Sequence, residues 1–148
     1  MDTDIVYADT NVYINWLNWE KGHGYMRHEG EEALAFFNEI KDKKHVLITS
    51  DHLEYQLKSK LGNYQDYTDY VKGLDDKGAH KHMITEETDK IMANNEALKN
   101  KTEYEDALHF VLAMKGGAKW LITNNLPDFN GFQDRILIRP SRLFGVKW

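Results

Sequence analysis

The chain has 148 residues and a formal net charge of −5 at pH 7, from 24 Asp and Glu against 19 Lys and Arg, with no cysteine. A chain of this length buries a core without covalent staples and reads as one domain over 1–148. Disulfide frameworks, thiolate zinc sites and cysteine nucleophiles are excluded, and the acidic balance argues against a broad, nonspecific nucleic-acid binder. No stretch is apolar for long enough to span a bilayer, and the acidic start Met1-Asp-Thr-Asp4 is unlike a signal peptide, so a cytoplasmic protein without membrane association is expected.

In chain order, Ile5 to Ala8 is a short apolar run, and Val12, Ile14, Trp16 and Leu17 predict a helix that starts just after Asp9. Asn18 to Gly30, with Gly22, Gly24 and Gly30, reads as a loop. Glu31 to Lys43 places Ala33, Leu34, Phe36, Phe37 and Ile40 on one helical face. Val46 to Thr49 is a buried-strand pattern, followed by helices over Asp51–Leu61 and Tyr64–Leu74. Met83-Ile84 is a weak strand, Thr85–Leu98 a helix, and Thr102–Met114 a strongly apolar helix stopped by Gly116-Gly117. Trp120–Thr123 and Ile136–Ile138 are the last two strands, the second ended by Pro140. Strands alternating with helices imply right-handed crossovers and a parallel sheet covered on both faces, an α/β chain in three layers.

Four acids sit at the edge where such a sheet binds ligands. Strand C-termini and the helix N-termini that follow them share one side of the sheet. Asp9 closes the first strand, Glu54 lies in the first turn of a helix, Asp106 opens the apolar helix and Asp128 follows the fourth strand. Gathered carboxylates raise one another's pKa unless a cation offsets them, and oxygen donors suit Mg²⁺ or Mn²⁺. Each acid also has a structural explanation. Asp9 can cap the next helix, Asp51-His-Leu-Glu54 has capping-box spacing, Asp106 can complement a helix dipole, and Asp128 can hold a turn. Glu103 is a further ligand candidate, one turn from Asp106. Three of the four arginines, Arg135, Arg139 and Arg142, fall in the last fourteen residues and are candidate phosphate contacts. The histidines, among them His23, His80, His82 and His109, lack zinc-ligand spacing.

The segments that carry these acids resemble PIN domains. Tyr7-Ala-Asp-Thr-Asn-Val-Tyr-Ile-Asn-Trp-Leu17 is similar to their opening strand and helix. Asp106-Ala-Leu-His-Phe-Val-Leu-Ala113 with Gly116-Gly-Ala-Lys-Trp-Leu-Ile-Thr123 resembles their late helix and fourth strand. Asn124-Asn-Leu-Pro-Asp-Phe129 looks like the loop after it, and Ile136 to Phe144 like the closing strand and tail. The resemblance implies a three-layer α/β/α nuclease domain with a central, mostly parallel sheet, using Mg²⁺ or Mn²⁺ to hydrolyse RNA. Carried over, Asp9, Glu54 and Asp106 would be the core metal acids. Asn125 stands where many members have Asp, which leaves Asp128 as the acid of that loop. Asn11 and Thr123 would orient ligands or substrate. Small stand-alone members are frequently the toxin ribonuclease of a toxin–antitoxin pair, of VapC type, which implies an antitoxin partner and often a homodimer.

The chemistry expected is in-line attack of an activated water on a phosphodiester, with Arg135, Arg139 or nearby lysines drawing in the RNA backbone. Trp16, Trp19 and Tyr25 are candidates for stacking unpaired bases, although Trp16 also fits the core. The competing expectation is a module that binds RNA or a protein without turnover, favoured by Asn125 in place of an acid. The stripe Tyr64, Tyr67, Val71 and Leu74 belongs either to the core or to a partner surface.

Overall fold

The computed structural model describes residues 4–20, 27–43 and 45–144. Gly22, His23, Gly24, Tyr25 and Lys44, and the side chain of Trp19, lie outside that description. Five strands, β1 (Ile5–Ala8), β2 (Val46–Ser50), β3 (His80–Met83), β4 (Trp120–Ile122) and β5 (Leu137–Arg139), form one sheet in the order β3-β2-β1-β4-β5. Every pairing is parallel. The chain builds outward from β1 to β3, then returns to the other side of β1 for β4 and β5. The order therefore reverses between β1 and β4, and a crevice opens at their C-terminal ends.

Among the described residues six α-helices cover the sheet: α1 (Thr10–Glu20), α2 (Arg27–Asp42), α3 (Asp51–Lys60), α4 (Gln65–Asp76), α5 (Glu87–Asn100) and α6 (Tyr104–Lys115). Side chains alternate across a strand, so β1 feeds both layers. Val6 and Ala8 join a core with α1, α2, α3 and α4, whereas Tyr7 joins the opposite core with α5 and α6. Trp16 is buried against Phe37 and Tyr70, which assigns it to the core. Tyr67 and Leu74 are buried too, with Tyr64 and Val71 packed beside them, so the α4 stripe is core.

Two expectations shift. The segment expected as a loop over 18–30 contains the end of α1 and the first turn of α2, and Gly30 is a buried helical residue. Glycine costs about 1 kcal/mol in a helix, little against the packing of a buried face. The weak strand lies three residues upstream of where Met83-Ile84 suggests. As an edge strand pairing only with β2, His80-Lys-His-Met83 carries no apolar signature.

Candidate active site

Asp9 follows β1 directly and its backbone amide donates to the Ile122 carbonyl at 2.8 Å, which ties it to the end of β4. Its carboxylate is 5 % exposed and held from several sides. Oδ1 accepts from the Thr10 amide at 2.7 Å. Oδ2 accepts from Asn11 Nδ2 at 2.8 Å and from the Thr123 hydroxyl at 3.1 Å. Thr123 Oγ1 accepts in turn from the Asn125 amide at 3.1 Å, and Asn11 Oδ1 accepts from the Asn124 amide at 3.2 Å. Asn11 and Thr123 thus orient Asp9, and Asn11 also pins the loop after β4.

Asp106, in the first turn of α6, and Asp128, in a 3₁₀ turn over Leu126–Phe132, line the same cavity as Asp9. This cavity has a volume of about 560 Å³ and also receives Glu103, Glu105, Asn125, Gln56 and Lys60. Asn125 Nδ2 donates to Asp128 Oδ2. Burial pushes the Asp9 carboxyl up to about 6, against the opposing effect of its hydrogen bonds and of Lys60. Asp106 is pushed up to about 7, first by burial and then by Asp9, Asp128, Glu103 and Glu105. A carboxyl so placed retains a proton near neutrality unless a cation enters.

Glu54 points elsewhere. Its Oε2 accepts from the Tyr67 hydroxyl at 2.8 Å and its Oε1 lies 3.9 Å from His82 Nε2, and the carboxylate does not line the cavity of Asp9. The capping box expected over Asp51–Glu54 does not form either. Ser50 caps α3, its hydroxyl accepting from the Leu53 amide at 3.0 Å. Asp51 instead accepts from the Thr85 amide and hydroxyl, at 3.0 and 2.6 Å.

Of the α3 residues that line the cavity, Tyr55, Gln56, Ser59 and Lys60, it is Gln56 that reaches His109. Its Oε1 accepts from the Thr10 hydroxyl and lies 2.7 Å from His109 Nε2. An amide oxygen only accepts, so His109 donates from Nε2. Burial, then His52 and Lys60, push the His109 pKa well down, so the ring is neutral and Nδ1 accepts from the Tyr7 hydroxyl at 2.5 Å. Tyr7 in turn accepts from Ser50, 3.0 Å away. His109 Nε2 also lies 3.4 Å from Asp9 Oδ1. A directed chain, Ser50 to Tyr7 to His109 to Gln56, therefore runs beneath Asp9. Nothing in the sequence marks its members as site residues on chemical grounds alone. The signal for Tyr7 was strand alternation, and that for Gln56 was its place off the Leu53–Leu57 face of α3.

Neither Arg135 nor Arg139 lines the acid cavity. Arg135 pairs with Glu96 and lies over the Phe110 ring, 4.6 Å from its centroid. Arg139 Nη1 donates to the Ile138 carbonyl at 2.8 Å. The cation that lines the acid cavity is Lys60.

Among the described residues no trio of His, Asp and Glu is gathered tightly enough to close on an ion by itself. A magnesium-type ion takes one or two carboxylates and keeps several waters. The donors are oxygens, and the raised Asp9 and Asp106 carboxyls would be relieved by a cation. In chemistry the residues fit Mg²⁺ or Mn²⁺.

No protein-family model and no curated protein matches the chain. Solved structures do. A chain of VapBC2 from Rickettsia felis, in a complex bound to a DNA fragment from its promoter, superposes with a TM-score of 0.60 at 14 % identity, covering 91 % of this chain and 98 % of that one. A chain of VapBC-1 from nontypeable Haemophilus influenzae gives 0.57 at 17 % identity, over 93 % and 98 %. At such identities the likeness is one of fold: the chain has the architecture of a VapBC-complex chain, the three-layer PIN-like arrangement implied by its sequence resemblance.

Proposed function

We propose that the chain is a ribonuclease dependent on Mg²⁺ or Mn²⁺ and the toxin of a toxin–antitoxin pair. The observation that carries this is the meeting of Asp9, Asp106 and Asp128, from three distant segments, in one cavity at the β1/β4 crevice. The likeness to VapBC complexes supports the toxin assignment. Asp9 and Asp106 are the principal candidates for holding the ion, with Asp128 beside them. Glu54, placed with Tyr67 and His82, acts at most through α3. When bound, the ion lowers the pKa of water and neutralises phosphate charge.

The chain's own residues do the remaining work. Asn11 and Thr123 fix the Asp9 carboxylate, and the Thr10 amide adds a third donor, so its orientation is set before any ligand arrives. Neutral His109 keeps a polar floor beneath Asp9 without adding charge. Lys60 supplies positive charge to a cavity otherwise hostile to phosphate.

The test is cleavage of single-stranded RNA by the purified chain with Mn²⁺, with EDTA, and by an Asp9→Asn/Asp106→Asn double variant that remains folded. Activity confined to the Mn²⁺ wild-type reaction supports the proposal. Equal activity in the folded double variant ends it. A second function, RNA or protein binding without turnover, is favoured by one feature: two neutral amides, Gln56 and Asn125, stand among the acids. Stabilisation by Mn²⁺ with RNA binding but no cleavage would select it. The antitoxin partner is tested by co-purification with the product of an adjacent small reading frame, and the homodimer by light scattering.

A further inference from the structure

A second cavity, of about 410 Å³, adjoins the acid cavity. Its walls include His52, Tyr55, Lys90, Tyr104, Glu105 and Leu108. Tyr55 and Glu105 line both cavities, so they form the partition between them. Tyr55 is 70 % exposed, although it is a large aromatic on a helix whose Leu53 and Leu57 are fully buried. The floor next to the partition is tied to α6 through His52. His52 Nε2 donates to the Glu105 carbonyl at 3.2 Å, and its ring lies 4.5 Å from that of His109, itself beneath Asp9. On the acid side, Lys60 makes no ion pair among the described residues, whereas Lys90 on the far side pairs with Glu87 at 3.2 Å.

Flat rings, an apolar Leu108 and polar edges from Thr85 and Asp51 suit a planar, hydrogen-bonding ligand. The volume lies within the roughly 300–1,000 Å³ typical of small-ligand sites. An unpaired base can leave its strand to enter such a space and stack on an aromatic ring, which a base inside a duplex cannot do. We infer that the second cavity is a nucleobase subsite for single-stranded RNA, with Tyr55 as the stacking platform between it and the acid cavity and Lys60 as the contact to the intervening phosphate. This rests on the ribonuclease function proposed above.

The experiment is fluorescence anisotropy with a short, labelled, unstructured oligoribonucleotide in Ca²⁺, at several salt concentrations. Tyr55→Ala raises Kd about tenfold, the size of one lost base stack, and Tyr55→Phe stays close to wild type. Tyr55→Leu, which keeps an apolar side chain without the ring, behaves as Tyr55→Ala. Lys60→Ala lowers the salt slope by about one contact. Unchanged affinity in folded Tyr55→Ala and Tyr55→Leu overturns the subsite while leaving the ribonuclease function standing, as does equal affinity for duplex RNA. Failure of the wild-type chain to bind RNA overturns both.

Discussion

Glu54 and Gln56 are two residues apart on α3 and face different surroundings: Glu54 meets Tyr67 and His82, and Gln56 meets Thr10 and His109. The helix turns about 200° over two residues, so one side chain toward the acid cavity requires the other away from it. Leu53 and Leu57 on the core side fix which. The α3 wall therefore presents Gln56 and Lys60 rather than a carboxylate to the cavity, whose acids are Asp9, Asp106, Asp128, Glu103 and Glu105.

Gln56→Glu adds a carboxylate to the α3 wall of the cavity, at a position where an oxygen already accepts from His109. Tighter Mn²⁺ binding, by severalfold in calorimetry, is the expected result. Glu54→Gln should alter Mn²⁺ affinity less than twofold, because its carboxylate lies outside. A larger loss for Glu54→Gln than gain for Gln56→Glu would reverse this assignment of α3.

Asp9→Asn and Asp106→Asn should each reduce Mn²⁺-dependent RNA cleavage by about 100-fold or more, the scale of losing a group that stabilises developing charge. Both should fold, as judged by circular dichroism. Among the described residues the Asp106 side chain holds no backbone amide, and Asn at position 9 retains an oxygen for the Thr123 hydroxyl. Cleavage within threefold of wild type in either variant would remove that residue from the site.

The acids also predict a pH dependence. Asp9, raised to about 6, and Asp106, raised to about 7, bind protons in the folded chain at pH values where unfolded carboxyls are ionised. The folded state therefore gains fewer ionised acids, and their contribution to stability falls as pH rises through 6 and 7. For Asp9, a carboxyl raised to about 6 corresponds to roughly 3 kcal/mol. Buried His109 acts in the opposite sense below pH 6.5, where only the unfolded chain takes up its proton. Between pH 6.5 and 8 the acids dominate. In EDTA, the Tm advantage of Asp106→Asn over wild type should grow across that interval and shrink when Mn²⁺ is added. An advantage independent of pH would contradict the raised Asp106.

Tyr7→Phe removes the donor to His109 Nδ1 and leaves a fully buried nitrogen unsatisfied. A loss of about 1–3 kcal/mol is expected from denaturant unfolding. Because the chain beneath Asp9 would also lose its direction, Mn²⁺ affinity should fall as well. A stability change without any change in Mn²⁺ affinity would confine Tyr7 to packing.

Most of the fold was legible because its signals are local. Apolar runs marked β1, β2 and β4, and the periodicity of Ala107–Ala113 marked α6. The polar edge strand β3 had no such signal, since pairing on one side only needs no apolar face. In the site, Asp9, Asp106 and Asp128 were legible because strand ends and helix starts converge in any parallel sheet. For Glu54 the segment alone points to the site, whereas buried Leu53 and Leu57 set which side of α3 it occupies. Arg135 shows a similar gap: charge and position suggested phosphate, while the Phe110 ring and Glu96, both remote in sequence, hold it elsewhere.

The central place of β1 has a consequence for synthesis. Asp9 emerges from the ribosome early, but the Ile122 carbonyl and the Thr123 hydroxyl that lock it arrive more than a hundred residues later. Any nascent chain ending short of β4 lacks half of the crevice, however well its first helices have packed. The carboxylate at the crevice therefore reaches its held orientation only after β4 has joined β1.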